Sequence, residues 1–131
     1  MLNDEVKALL KSSLWDLATV SPEGEPNVVP VAFKDITDEG HLLIGDVFLE
    51  TTLKNIKANG RIAVSAFDGP HLKGYQIKGQ AKYIESGAVV DNFKKVVEEM
   101  FKGAVTAKGA VEIIPEKVIV TTPGPDNKKE L

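Results

Sequence analysis

The chain has 131 residues, a formal net charge of −3 and no cysteine. One domain with a single core fits that length, a general nucleic-acid binder would need a denser basic surface, and disulfides, thiolate metal sites and cysteine nucleophiles are excluded. Arg61 is the only arginine among sixteen basic residues, so any phosphate site must rely on backbone N–H groups, hydroxyls and lysine charges rather than guanidinium forks.

Asn3-Asp4 supply a helix cap, and Leu2, Val6, Leu9 and Leu10 form a helical stripe that should end near Ser12-Ser13. Trp15 to Val20 reads as a strand, closed by the turn-forming run Ser21 to Pro26. Asn27 to Phe33 is a second strand, almost wholly apolar. The turn Asp38-Glu39-Gly40 leads into a third strand over His41 to Gly45. A helix opens at Thr51-Thr52, buries Leu53 and Ile56, and stops at Asn59-Gly60. Arg61 to Phe67 and Gly74 to Glu85 are the fourth and fifth strands, joined by Asp68-Gly69-Pro70. Ser86 is the expected cap of a helix carrying Val89, Phe93, Val96, Val97 and Met100 at helical spacing, with Gly103 ending it. Lys94 with Glu98 and Lys95 with Glu99 are expected i,i+4 pairs on its solvated side. Ala110 to Ile114 and Lys117 to Thr121 offer one or two last strands around Pro115, and residues 122–131 read as a mobile tail. Residues 1–121 then make one domain. Sequential, turn-linked strands predict a mainly β fold with α: an antiparallel sheet curled into a small barrel with peripheral helices.

Conventional catalytic sets are missing. His41 and His71 belong to no two-histidine helical motif, so a metal site is not expected. Ser65 has no nucleophile-elbow glycines around it, and no Gly-x-Gly-x-x-Gly or Walker-type loop occurs. Two features remain. Thr51-Thr52 open a helix whose first N–H groups lack intrahelical partners and carry the positive end of the peptide dipole, a setting suited to phosphate. Pro30 interrupts the second strand, which places that strand at an edge, at a bulge or beside an opening; beside an opening, Val29 and Val31 would suit a flat, largely apolar ring. Trp15 and Phe48 read as core aromatics. No apolar run approaches the roughly 20 residues that span a bilayer and the amino terminus lacks a signal-peptide core, so the expectation is a cytoplasmic protein without membrane or nucleic-acid partners.

Leu17-Ala18-Thr19-Val20-Ser21-Pro22-Glu23-Gly24-Glu25-Pro26-Asn27-Val28-Val29-Pro30-Val31, then Leu43-Ile44-Gly45-Asp46 and Thr52-Leu53-Lys54-Asn55-Ile56, resembles the pyridoxamine 5'-phosphate oxidase-like family of FMN-binding split barrels. Asn59 to Phe67 and Gly74-Tyr75-Gln76-Ile77-Lys78-Gly79 extend the match to roughly residues 14 to 85. The resemblance is to the short FMN-binding members and implies a homodimer with FMN at the subunit interface. It implies that the strand Val28 to Ala32, with Val28, Val29, Pro30 and Val31 as site residues, lines the flavin ring, that the segment Gly45 to Phe48, with Gly45, Asp46 and Phe48 as site residues, follows the ribityl chain, and that Thr51 and Thr52 hold the phosphate. The strand of Tyr75 to Gly79 would neighbour the partner subunit. Many relatives carry lysine or arginine at the position matching Thr51, whereas here that position is neutral and Glu50 precedes it. Lys54, three residues on, is the candidate compensating cation. The function implied is a flavin-dependent oxidoreductase acting on an unknown small molecule; the alternatives are a flavin carrier, an electron-transfer module, a sensor, or a binder of the deazaflavin F420.

Overall fold

Alternation gives the first strand two unlike sides: Trp15, Leu17 and Thr19 are buried, while Asp16, Ala18 and Val20 face outward. The computed structural model describes residues 2–131 and arranges the chain as α1 (Asp4–Ser12), β1 (Trp15–Val20), β2 (Pro26–Val31), β3 (Lys34–Ile36), β4 (Leu42–Asp46), α2 (Thr51–Asn59), β5 (Arg61–Asp68), β6 (Lys73–Ile84), α3 (Ala88–Phe101) and β7 (Gly109–Val120). The seven strands form one antiparallel sheet in the order β2-β1-β5-β6-β7-β4-β3. The two ends of that order, β2 and β3, are joined only by Ala32 and Phe33. Three Cα steps span at most about 11 Å, so the sheet must curl until its edges nearly meet. The result is the expected split barrel with peripheral helices.

The inward side holds the main core, with Trp15, Leu17, Ile44, Val64, Ile77 and Ile113 fully enclosed beneath α1 and α2. A second cluster packs α3, through Val90, Phe93 and Val97, onto Leu43 and Ala110 on the outward side of β4 and β7. The outward side of β2, β1 and β5 is largely exposed, with Asp16, Val28, Ser65 and Phe67 on it.

Several expectations change in detail. The second strand stops at Val31, because the chain bends at Ala32-Phe33 into the short β3, which the sequence reading did not include. Pro115 does not divide the last strand: it lies opposite Gly79 at a bulge, so β7 runs on through it. Ser86 does not cap α3. Gly87 takes that position with φ 114°, a conformation that favours glycine, and its carbonyl accepts from the Asp91 N–H. Neither expected lysine–glutamate pair on α3 closes to ion-pair distance among the described residues; Glu98 instead accepts from the Thr106 hydroxyl at 2.9 Å. The segment 122–131 turns back on β7, with Lys128 N–H donating to Val120 and Leu131 N–H to Val118.

Candidate functional site

Where the sheet fails to close, a trough of about 470 Å³ separates the edge strand β2 from the segment joining β4 to α2. Its walls are Asn27, Val29, Val31 and their neighbours on one side, and Gly45 and residues 47–52 on the other. That volume lies within the roughly 300–1,000 Å³ usual for small-molecule sites. The two ends differ in chemistry. Val31, Ala32, Phe33 and Val47 make one end apolar, whereas Asn27, Thr51 and Thr52 at the start of α2 make the other polar.

The polar end is held in place by interactions across the sheet. No side chain caps α2; its N-cap residue is Glu50, whose carbonyl accepts from Lys54 N–H at 3.1 Å. The N–H groups of the first turn are therefore left for a ligand. Thr52 is buried and accepts from the Asn27 amide at 3.0 Å, which frees its own O–H to donate. Asn55 donates to the Thr19 hydroxyl at 3.0 Å, tying α2 to β1. The helix ends at Gly60, whose φ of 69° is the left-handed conformation glycine tolerates, and Asn59 donates to the Val20 carbonyl.

Asp46 fixes the connection that aims α2. Its carboxyl group accepts from Leu49 N–H at 3.1 Å and from the Tyr83 hydroxyl at 2.6 Å, and its carbonyl accepts from Lys108 N–H. Burial, then the hydrogen bond to Asp46 and its charge, push the Tyr83 hydroxyl well above the usual phenol range, so it stays a donor at physiological pH.

Of the residues singled out in the sequence, Val29, Pro30, Val31, Gly45, Phe48, Thr51 and Thr52 line the trough. Three do not. Val28 faces outward, 65% exposed, on the opposite side of β2 from Val29. Asp46 points into the interior toward Tyr83. Lys54 is exposed on α2 away from the trough wall. Phe48 is 72% exposed, not the core aromatic expected. Ala32 and Val47, within the two expected segments, and Glu50, expected beside the phosphate, also line the trough, as do Asn27, Phe33 and Leu49, which the sequence does not single out. Asn27 was findable, since it shares the period-two side of Val29 and Val31. Among the described residues no lysine or arginine lines the trough, and Glu50 is the only ionisable one in its wall.

A separate polar cluster crosses β4, β7 and β6. His41 Nδ1 donates to Glu112 at 3.0 Å, and Lys82 lies 3.1 Å from the other carboxylate oxygen. The His41 hydrogen bond, against burial and helped by Lys82, holds the Glu112 carboxyl below its ordinary range. A depressed folded-state value contributes stability above the unfolded value, near 4.5, and loses it as pH falls toward the folded one. Urea unfolding at stepwise lower pH should therefore show a steeper loss of stability below about pH 4.5 in the native chain than in Glu112→Gln, by at most roughly one proton's slope. Equal slopes would remove this role for Glu112. Elsewhere, His71 pairs with Asp68 in an exposed loop, and among the described residues no group of three or more histidine, aspartate or glutamate side chains is placed to hold a metal ion. No described helix is long and apolar enough to cross a membrane.

The family model described as Pyridoxamine 5'-phosphate oxidase matches residues 2–124. An uncharacterized protein of Methanocaldococcus jannaschii is 32% identical over 133 aligned positions, covering 98% of this chain and 86% of that protein. Among solved structures, HupZ of Group A Streptococcus is 27% identical with a TM-score of 0.82, over 96% of this chain and 98% of that one. An FMN-binding protein from Syntrophomonas wolfei has the same fold, with a TM-score of 0.79 at 14% identity over 91% of this chain and 85% of that one.

Proposed function

This chain belongs to the pyridoxamine 5'-phosphate oxidase family, and from that premise we propose that it binds FMN in the trough and acts as a flavin-dependent oxidoreductase on a small molecule. The observation that carries the reading is the polarity of the trough. A flavin has a flat, largely apolar ring at one end and a phosphate at the other, and the apolar Val31–Phe33 end and uncapped α2 start match that order. The residues present fit the group. Val29 and Val31 pack the ring, Thr51 and Thr52 donate to the phosphate with the first-turn N–H groups, and Asn27 holds the Thr52 hydroxyl in position. When bound, the flavin supplies the hydride or electron transfer. The chain's own part is to orient and enclose it, in keeping with a trough wall that offers no acid–base pair.

The proposal includes a homodimer. The outward side of β2, β1 and β5 exposes Val28, and beside it Ala18, Ala63, Gly79 and the charged Arg61, Lys78, Glu116 and Lys117 line a recess of about 440 Å³. A second copy seated there would complete the flavin's enclosure. Light scattering is expected to give twice the chain mass.

A second reading, the deazaflavin F420, draws on the absence of a cation from the trough wall; a carrier without turnover draws on the same lack of acid–base groups. A visible spectrum of gently purified protein, with extraction and mass identification of its cofactor, separates these readings. FMN absorbance that is reduced by a nicotinamide cofactor and reoxidised by an added acceptor is the expected result. A colourless protein that takes up no added FMN sinks the proposal.

A further inference from the structure

Among the described residues, the buried polar side chains are Thr19, Asp46, Thr52 and Asn55. Asp46 serves Leu49 and Tyr83, whereas the other three join with Asn27 in one network behind the polar end of the trough. The Thr19 hydroxyl oxygen accepts from the Asn55 amide of α2 at 3.0 Å and from the Asn27 amide of β2 at 3.4 Å. Asn27, the register partner of Thr19 across β1 and β2, also donates to the Thr52 hydroxyl at 3.0 Å. Asn27 and Thr52 stand in the trough wall; Thr19 and Asn55 do not.

Core packing alone does not call for this arrangement. Apolar partners of the same shape in place of a buried hydrogen-bonded pair are nearly neutral or stabilising, and the same side of β1 carries Trp15 and Leu17. What the polar set fixes is direction. An amide nitrogen has two hydrogens, and at Asn27 the acceptors for them are Thr19 and Thr52. Thr52 thus receives a hydrogen bond on its oxygen, and among the described residues its own hydrogen is donated to no side chain or carbonyl. Thr52 is 1% exposed and lines the trough, so that hydrogen is left for a ligand. Without the Thr19 acceptor, the Asn27 amide could turn over. Its oxygen would then face Thr52 and take up that hydrogen.

We propose that Thr19 and Asn55 are positioning residues for a phosphate ester in the trough. From outside the wall, Thr19 holds the Asn27 amide with its N–H groups toward the two threonines, which keeps the Thr52 hydroxyl a donor. Asn55 draws α2 onto the same hydroxyl and so sets the start of that helix against β1. The inference rests on the flavin reading above, which supplies the phosphate.

Titration of the full flavin-free chain with FMN and with riboflavin, well below the melting range, tests this through the ratio of the two affinities. Thr19→Val keeps the branched Cβ and removes the hydroxyl. It is expected to weaken FMN about tenfold and to leave riboflavin, which has no phosphate, within about twofold. Thr19→Ser keeps the hydroxyl and should restore the native ratio. An unchanged ratio in Thr19→Val, or an equal loss for both ligands, makes Thr19 a packing residue and overturns the proposal, as does a Thr19→Ser protein that behaves like Thr19→Val. Should Thr19→Val fail to fold, Asn55→Ala decides: it removes the tie from the helix side with a residue that favours helix, and the ratio must again fall. A native chain that takes up neither flavin removes the flavin reading and this inference with it, a result distinct from native binding with an unchanged ratio in the variants.

Discussion

Asp46→Ala should lower both stability and flavin affinity more than any other single change at the site. The substitution strands the buried Leu49 N–H and the half-buried Tyr83 hydroxyl at once. Each unsatisfied buried group costs about 1–3 kcal/mol, so the expected loss is on the order of 3 kcal/mol. For a domain of this size that corresponds to a fall in Tm on the order of 10 °C. The lost hydrogen bonds also release the Val47–Glu50 connection that aims the start of α2, so FMN should dissociate faster even below the melting range. Asp46→Asn is the informative control. The amide oxygen still accepts from Leu49, and the Tyr83 hydroxyl can reverse its role and accept from the amide N–H. It should recover most of the stability. Thermal unfolding of the three proteins, with FMN affinity measured alongside, checks both parts; an Asp46→Ala protein as stable as the native chain would remove Asp46 as the anchor.

Thr51→Lys should move affinity and stability in opposite directions. A cation there faces the positive end of the α2 dipole and should destabilise the flavin-free protein by about 0.3–1 kcal/mol. A phosphate carrying about −1.5 to −2 charges would reverse that penalty. We expect FMN to bind about tenfold more tightly, an effect that weakens as salt is raised. Thr51→Glu should do the opposite, and Thr52→Ala should loosen FMN by removing one donor and leaving the Asn27 amide only its longer contact, 3.4 Å, to the Thr19 hydroxyl. Calorimetric titration at two salt concentrations reads these differences. Unchanged affinity in all three variants would relocate the phosphate.

The parts of this fold legible in the sequence are those fixed by local chemistry. β1 and β5 alternate cleanly, and α2 carries both its apolar pair Leu53 and Ile56 and its terminating Gly60. The parts that were not legible depend on partners far away in the chain. All five residues of β4 are buried, so no period shows which way Asp46 points, and its Tyr83 partner lies 37 residues on. The Asn27–Thr52 contact joins residues 25 apart. β3 is three residues long and follows a bend, too short to show any alternation. Phe48 looks like a core residue by type, yet the turn that follows Asp46 holds it outside the core. On α3, Val96 and Met100 share the helical period with Phe93, but the sheet beneath is wide enough to cover only the Val90–Phe93–Val97 stripe. The Thr51-Thr52 segment was legible as a helix start; that it shares a trough with β2 follows from the curl of the sheet.

Titration of the flavin-free protein with FMN and, in parallel, with riboflavin separates the trough's two ends. The ring ends of the two ligands are identical, and only FMN carries a phosphate for the start of α2. FMN should bind at one per chain and about tenfold to a hundredfold more tightly than riboflavin, with the advantage reduced in Thr52→Ala. Equal affinities, or no saturable binding of either ligand, are incompatible with a flavin whose phosphate rests on Thr51 and Thr52.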